Sequence, residues 1–244
     1  MKRFSLIIPV YNEIDNLKKN LPKIYREVKR LKGELIVAED GSTDGSKEYI
    51  KEFARNHEIK FITSKKRLGR GKAIKRALKI SNSKVIGYMD SDLAISLRNV
   101  EKAVKLVEKG NPIVVGSRYK SKKTKRSLKR LIASKFYNFL LRIFFNSKVS
   151  DHQCGFKFWK SNLKNFLKGI KDNHWFFDSE LLIKAQKKKI KILELPVEYK
   201  EQKRTKVKIS EIFYFLKKIF ELRKELSQYE VKVKIKKQKF FKFF

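Results

Sequence analysis

From residue 4 to residue 116, short apolar runs alternate with longer stretches whose apolar residues recur every three or four positions. The runs at 4–10, 35–38, 60–63, 85–89 and 112–116 are too short for helices. Near-continuous apolar character predicts strands buried on both faces. Between the first two, Leu17, Leu21, Ile24, Val28 and Leu31 fall on one face of a helix starting near Asp15 and ended by Gly33. Further helices are predicted up to residue 56, from the 67–72 stretch through residue 78, and over 98–109. Strand–helix alternation with short turns predicts an α/β fold, a mostly parallel sheet with helices on both faces.

Ligands of such sheets bind beyond the carboxyl ends of the strands. Three of these ends carry chemistry: Tyr11-Asn12-Glu13, the small polar loop Glu39-Asp40-Gly41-Ser42-Thr43-Asp44, and Asp90-Ser91-Asp92. Along an extended strand end, residues i and i+2 point to one side, so Asp90 and Asp92 are expected to converge. Paired carboxylates repel unless a cation lies between them. Oxygen-only ligands suit Mg2+ or Mn2+, which take further ligands from substrate phosphates. The alternative is a solvated turn closing a strand. The stretch Arg67-Leu68-Gly69-Arg70-Gly71-Lys72 lacks the glycine spacing and the Ser or Thr of a P-loop. It can still offer helix N-terminal amides and cations to a diphosphate.

Beyond Tyr119 the pattern changes. Residues 120–130 form a basic, serine-containing loop, and 131–145 read as a helix that is apolar on most sides. Burial in the core, a place in the membrane interface and a dimer contact all fit it. Residues 194–197 read as a last strand. Ile209, Ile212, Phe213, Leu216, Ile219 and Phe220 then show helical spacing. That amphipathic helix either lies flat on an anionic membrane or packs on the sheet. Past residue 232 the chain alternates lysine with apolar residues and ends in Phe pairs, which suits a headgroup boundary or a disordered basic end.

Composition narrows the partners. Of 244 residues, 62 are Lys or Arg and 25 are Asp or Glu, a net charge of +37. Nucleic acid, an anionic membrane surface and phosphorylated substrates all match that charge. A nucleic-acid binder is disfavoured, because no recognition module is present and the acid pair stays unexplained. The one cysteine, Cys154, excludes an intrachain disulfide and fits a reducing compartment as a small packed residue. No apolar stretch reaches the ~18 residues needed to span a bilayer.

The motifs SLIIPVYNE, EDGSTDGS, Asp-Ser-Asp and VVGSRY resemble family 2 glycosyltransferases of GT-A fold. SDHQCGFKFW and WFFDSELL resemble a narrower group, the dolichyl-phosphate glucosyltransferases and mannosyltransferases. The resemblance covers residues 3–208 and implies a catalytic domain over 1–208, with 209–244 as a membrane-associating helix and tail. It leans to glucose, because Ala94 stands where the mannosyl branch commonly has a metal-binding Gln.

The resemblance implies that Pro9, Tyr11 and Glu13 wrap the nucleotide, Asp40 reads base or ribose, and Asp90, Ser91 and Asp92 hold the metal-diphosphate. Arg118 and Arg130 would hold the acceptor phosphate, and Lys206 would close over the diphosphate. Glu13 and Asp40 can equally be helix caps, and Arg130 a solvated charge. Asp178 sits where inverting relatives place a base. A phosphate acceptor arrives ionised, so Asp178 reads as an orienting group, with pairing to nearby lysines as the alternative. His152 and His174 are weaker candidates for metal or phosphate contact. The implied activity is inverting transfer of glucose from UDP-glucose, or mannose from GDP-mannose, onto dolichyl or another polyprenyl phosphate. The implied setting is peripheral, at the cytoplasmic face of a membrane, with a homodimer or membrane-protein partner left open. A non-catalytic nucleotide-sugar binder is the rival.

Overall fold

A computed structural model describes residues 2–121, 124–125, 127–201 and 213–228. The chain runs β1 (Phe4–Val10), α1 (Ile14–Arg30), β2 (Glu34–Glu39), α2 (Ser46–Asn56), β3 (Lys60–Ile62), α3 (Arg70–Ile80), β4 (Val85–Met89), α4 (Arg98–Glu108) and β5 (Ile113–Ser117). It continues with β6 (Thr124–Lys125), α5 (Leu128–Phe145), β7 (Phe156–Lys160), α6 (Lys164–Lys168), α7 (Phe177–Lys187), β8 (Ile192–Pro196) and β9 (Tyr199–Lys200). A final helix, α8, covers 213–228.

Seven strands form one sheet in the order β3-β2-β1-β4-β7-β5-β8. All pairings are parallel except those of β7, which runs antiparallel between β4 and β5. The predicted parallel strands are present. β7 was not anticipated: it lies inside SDHQCGFKFW, which reads as a motif before it reads as a strand.

Burial on both faces explains the continuous apolar runs. Leu17, Leu21, Ile24 and Val28 of α1 pack with Leu6, Ile8 and Phe158 on one face. Ile74, Ala77 and Leu78 of α3 pack with Ile7, Ile86, Trp159 and Leu181 on the other. Each such side chain contributes about 1.5–3 kcal/mol on leaving water.

A third cluster lies off the sheet. Tyr137, Leu141 and Phe145 of α5 meet Phe176 and Ile183, and Ile219, Leu222 and Leu226 of α8 cover them. This corrects the apolar face expected for the C-terminal helix. Ile219 goes inside with Leu222 and Leu226, while Phe213 and Phe220 remain more than half exposed. Ile209, Ile212, Lys206 and the tail past residue 228 lie outside the described residues. The helix expected at 131–145 begins at Leu128 and is two-faced. Leu128, Ile132, Phe136, Phe139 and Ile143, spaced four, four, three and four apart, are each more than half exposed. No helix among the described residues is long and apolar enough to cross a membrane.

Candidate functional site

The carboxyl ends of β1 and β2 are laced together before any ligand arrives. Asn12, in the left-handed region at φ 53°, donates its amide to Ser42 Oγ, and its side-chain oxygen accepts from the Thr43 amide at 2.8 Å. Asp44 accepts from the Ile14 and Ser46 amides at 2.9 and 3.0 Å. Glu13 therefore enters α1 with its carboxylate beside Asn16 and the Ser91 hydroxyl. Burial, then the nearby charge of Asp90, raises its carboxyl above the usual range. Pro9 lies in β1 opposite Ala38, and the Tyr11 ring lies 4.2 Å from the Arg67 guanidinium.

Asp40 is buried, and both carboxylate oxygens accept backbone amides, from Leu68 at 2.9 Å and Gly69 at 2.8 Å. Its role in this structure is to fix the turn that opens α3. Asp40 thus holds the two amides just ahead of α3, and within the first turn the Lys72 amide donates to the Asn173 carbonyl at 2.9 Å. Gly69 has φ 105°, and a Cβ on it would lie 2.3 Å from the Asn173 carbonyl oxygen, so only glycine fits this turn.

The acid pair follows β4 directly, as the sequence predicts, but in a turn and not in extended backbone. β4 ends at Met89, and Asp90-Ser91-Asp92 form a turn closed by Leu93 at φ 53°. Strand alternation therefore does not bring the two carboxylates together; the turn does. The Asp90 amide donates to the Gly155 carbonyl just ahead of β7. A Cβ on Gly155 would lie 1.8 Å from Asp90 Oδ2, so the glycine of QCGFK makes room for this carboxylate. The Asp90 side chain is 45% exposed. Asp92 is more enclosed, and burial together with Asp90 pushes its carboxyl up to about 6. Burial first, and then the neighbouring carboxylate, favour the protonated form of Asp92. Two carboxylates and no nitrogen or sulfur donor form a set suited to a hard divalent cation that completes its shell with phosphate and water. No cluster of three or more His, Cys, Asp or Glu suited to a metal occurs among the described residues.

Behind the pair lies a buried charged network. Arg70, the first residue of α3, binds Asp90 Oδ1 at 2.7 Å and Asp178 Oδ2 at 2.5 Å. Asp178, 3% exposed, also accepts from Lys157 Nζ at 3.0 Å and from the Tyr88 hydroxyl. Burial would raise its carboxyl, but Lys157 and Arg70 hold it below the usual range. Lys157, fully buried in β7, completes its shell on the carbonyls of His152 and Cys154 at 3.0 and 2.7 Å.

Arg118 lines one cavity with Asp90, Asp92, Gln153 and Tyr199. Its guanidinium binds Asp151 through Nε at 2.7 Å and Nη2 at 2.6 Å, and it lies 5.3 Å from the Tyr199 ring. Arg130, at the start of α5, is paired with Glu201. Both expected phosphate-holding arginines thus carry a carboxylate of their own. His152 is sealed between Asn138 and Ser147 at 2.8 Å each, so both ring nitrogens are already engaged within the protein, and burial drives its pKa down to about 3. His174 lies edge-on to Tyr214. Cys154 is buried and free, and burial pushes its thiol up to about 12.

Sequence reasoning missed Arg70, Lys157, Tyr88 and Asp151. Arg70 stands among Arg67, Lys72 and Lys75, with nothing to single it out. Lys157 carried a usable signal, a lone lysine inside the apolar run Phe156–Trp159. A charge in such a run is buried and paired.

Known proteins resemble this chain over most of its length. Glycosyltransferase AglD of Haloferax volcanii is 34% identical over 211 residues, covering 83% of this chain and 34% of that protein. Dolichyl-phosphate beta-glucosyltransferase ALG5A of Trichomonas vaginalis is 30% identical over 224 residues, covering 84% of this chain and 68% of its own length. The chain thus spans about a third of AglD and about two-thirds of ALG5A. Glucosyl-3-phosphoglycerate synthase of Mycobacterium tuberculosis, crystallised with Mn2+, UDP and glucosyl-3-phosphoglycerate, superposes with a TM-score of 0.65 at 16% identity. That match covers 91% of this chain and 78% of the synthase and shares its GT-A fold. Residues 5–165 match the family model Glycosyl transferase family 2, and the chain belongs to that family.

Proposed function

We propose that the chain transfers one hexose, glucose from UDP-glucose, onto dolichyl or another polyprenyl phosphate with inversion at the anomeric carbon. The observation that carries this reading is the Asp90–Asp92 pair at the carboxyl end of β4, sharing one cavity with Arg118. Asp90 and Asp92 would hold Mg2+ or Mn2+, whose chemistry there is to neutralise charge on the departing diphosphate. In the transfer, an acceptor phosphate oxygen bonds to the anomeric carbon as the bond from that carbon to the diphosphate oxygen breaks. The nucleoside diphosphate leaves with the bonding electrons.

Asp178 supports a phosphate acceptor over an alcohol. A base must have a lone pair free and an affinity for protons. Asp178 has Arg70, Lys157 and Tyr88 on its oxygens and a lowered carboxyl. A phosphate monoester, with a second pKa of about 6, needs no base. Asp178 instead fixes Arg70 and Lys157 behind the site. Arg118 and Arg130 would take the acceptor phosphate by exchanging Asp151 and Glu201 for it, a bidentate fork being suited to either anion. Pro9, Tyr11, Glu13 and Ser91 would flank the nucleotide, with Asp40 acting through the turn it holds.

A lipid-linked acceptor also accounts for α5. An exposed apolar stripe beside Lys129, Lys135 and Arg142 matches a peripheral membrane contact, apolar side chains in the headgroup boundary and cations on anionic lipid. The names of relatives such as ALG5A point the same way. The test is transfer of radiolabel from UDP-glucose or GDP-mannose to a polyprenyl phosphate, with product extracted into organic solvent. Label from UDP-glucose supports the reading. Label from GDP-mannose alone replaces the sugar, and label from neither, with nucleotide still bound, favours a non-catalytic binder.

A further inference from the structure

Arg70 occupies an unusual position. It is the only side chain joining the exposed acid of the pair, Asp90, to the buried acid behind it, Asp178, among the described residues. Its placement is built from three directions. Asp40 holds the two amides immediately before it. Gly69 permits the turn against Asn173. The rings of Tyr88, in β4, and Trp175, in the turn ahead of α7, lie 5.0 and 5.5 Å from its guanidinium. The guanidinium is fixed where a cation for Asp90 is wanted.

We propose that Arg70 is a positioning residue that serves as the resident counter-cation of Asp90 and competes with the divalent cation for that carboxylate. This rests on Asp90 and Asp92 being the metal-holding pair. The argument is one of shared ligands. Asp90 Oδ1 accepts from Arg70 Nη2 at 2.7 Å, a charge-assisted bond. A divalent cation drawing on the same carboxylate meets the positive guanidinium at short range, so each weakens the other. Asp178 keeps the second prong of the fork whatever Asp90 does. When a nucleotide diphosphate enters, it brings negative charge that accommodates both cations, and the competition is relieved. Arg70 would thus keep the acid pair neutralised and poorly receptive to metal until the donor's phosphates are present.

A purely structural role and this one predict opposite signs. If Arg70 only shapes the site, removing it weakens metal binding. If it competes, removing it strengthens metal binding without nucleotide. Arg70→Gln leaves Asp178 with Lys157 and Tyr88, so the buried carboxylate is not orphaned. Mn2+ affinity is measured by electron paramagnetic resonance on the full chain, with no nucleotide and then with UDP. We expect Arg70→Gln to bind Mn2+ alone roughly tenfold tighter than wild type, as relief of one cation's repulsion gives. UDP is expected to tighten Mn2+ binding less in the variant than in wild type. Unchanged or weaker Mn2+ binding by a folded Arg70→Gln overturns the inference. Should that variant fail to fold, Arg70→Lys, whose point charge cannot bridge both acids, is expected to show a smaller gain, and no gain overturns it equally. Asp92→Asn separates the two levels. If it binds Mn2+ as well as wild type, the metal reading falls and this inference with it. If it loses Mn2+ while Arg70→Gln gains nothing, only the inference falls.

Discussion

Two carboxylates in the site differ in what surrounds them, and that difference sets what their removal should do. Asp92 faces Asp90 and has few compensating partners, whereas Asp178 is enclosed by two cations and a hydroxyl. Asp92→Asn is expected to abolish divalent-dependent transfer, and Asp178→Asn to lower kcat by a smaller factor while donor binding persists. Steady-state kinetics on both variants decides it; an equally inactive, donor-binding Asp178→Asn would assign Asp178 to the chemistry. Asp151 allows a pH test away from the acid pair. Burial opposes its ionisation, but Arg118 outweighs burial and holds its folded pKa below the 3.8 of an ordinary carboxyl. Its contribution to stability is therefore complete above 3.8 and is lost as pH falls through the depressed folded value. Asp151→Asn should cost about 3–5 kcal/mol at neutral pH, as breaking a buried pair does. The gap to wild type should close in acid, as followed by urea denaturation at several pH values. At this scale the sequence yielded residues whose types are rare in a basic chain, Asp40, Asp90, Asp92 and Asp178. It hid Arg70, a cation among many cations, and Asp151, whose partner lies 33 positions away.

Elements were legible where one rule decided them. β1, β2, β4 and β5 are nearly continuous apolar runs between amphipathic helices, while β3 is a three-residue edge strand with Phe61 exposed, and parallel pairing follows from the alternation of strands and helices. α5 was legible as a helix but not in its two-sidedness. Its sequence is apolar nearly all round, and only the packing of Tyr137, Leu141 and Phe145 on α7 and α8 shows which side is left out. The T-shaped contact of Phe144 and Phe220 links α5 to α8, beside exposed Phe220 and Arg223. A membrane contact therefore need not depend on the tail. Phe136→Ser with Phe139→Ser is expected to reduce sedimentation with acidic vesicles while leaving Tm within a few degrees of wild type, since both rings are already exposed. Raising salt should weaken the wild type's binding, because the Debye length contracts from ~10 Å at 0.1 M to ~3 Å at 1 M. If the double variant sediments like wild type but runs smaller in analytical ultracentrifugation, α5 is a contact between copies.

At the scale of the whole molecule, the order of the sheet was the part that local pattern could not supply. A strand inserted against the direction of its neighbours is a long-range choice, and nothing within Phe156–Lys160 announces its direction. That insertion bears on how the chain is made. Residues 2–112 contain β1 to β4 and can join them in parallel, but β4 then has one bare edge. β5 emerges next and has no neighbour to pair with until β7 arrives, more than sixty residues after the end of β4. During synthesis, the growing chain must therefore carry an open central edge while α5, with its exposed Phe and Ile side chains, leaves the ribosome. A fragment stopped at residue 112 should form oligomers through that edge, seen as light scattering at concentrations where the full chain is clear. Because Gly155 leads directly into β7 and leaves room for the Asp90 carboxylate, insertion of β7 and seating of Asp90 are coupled, and a chain that stops before β7 lacks that seat.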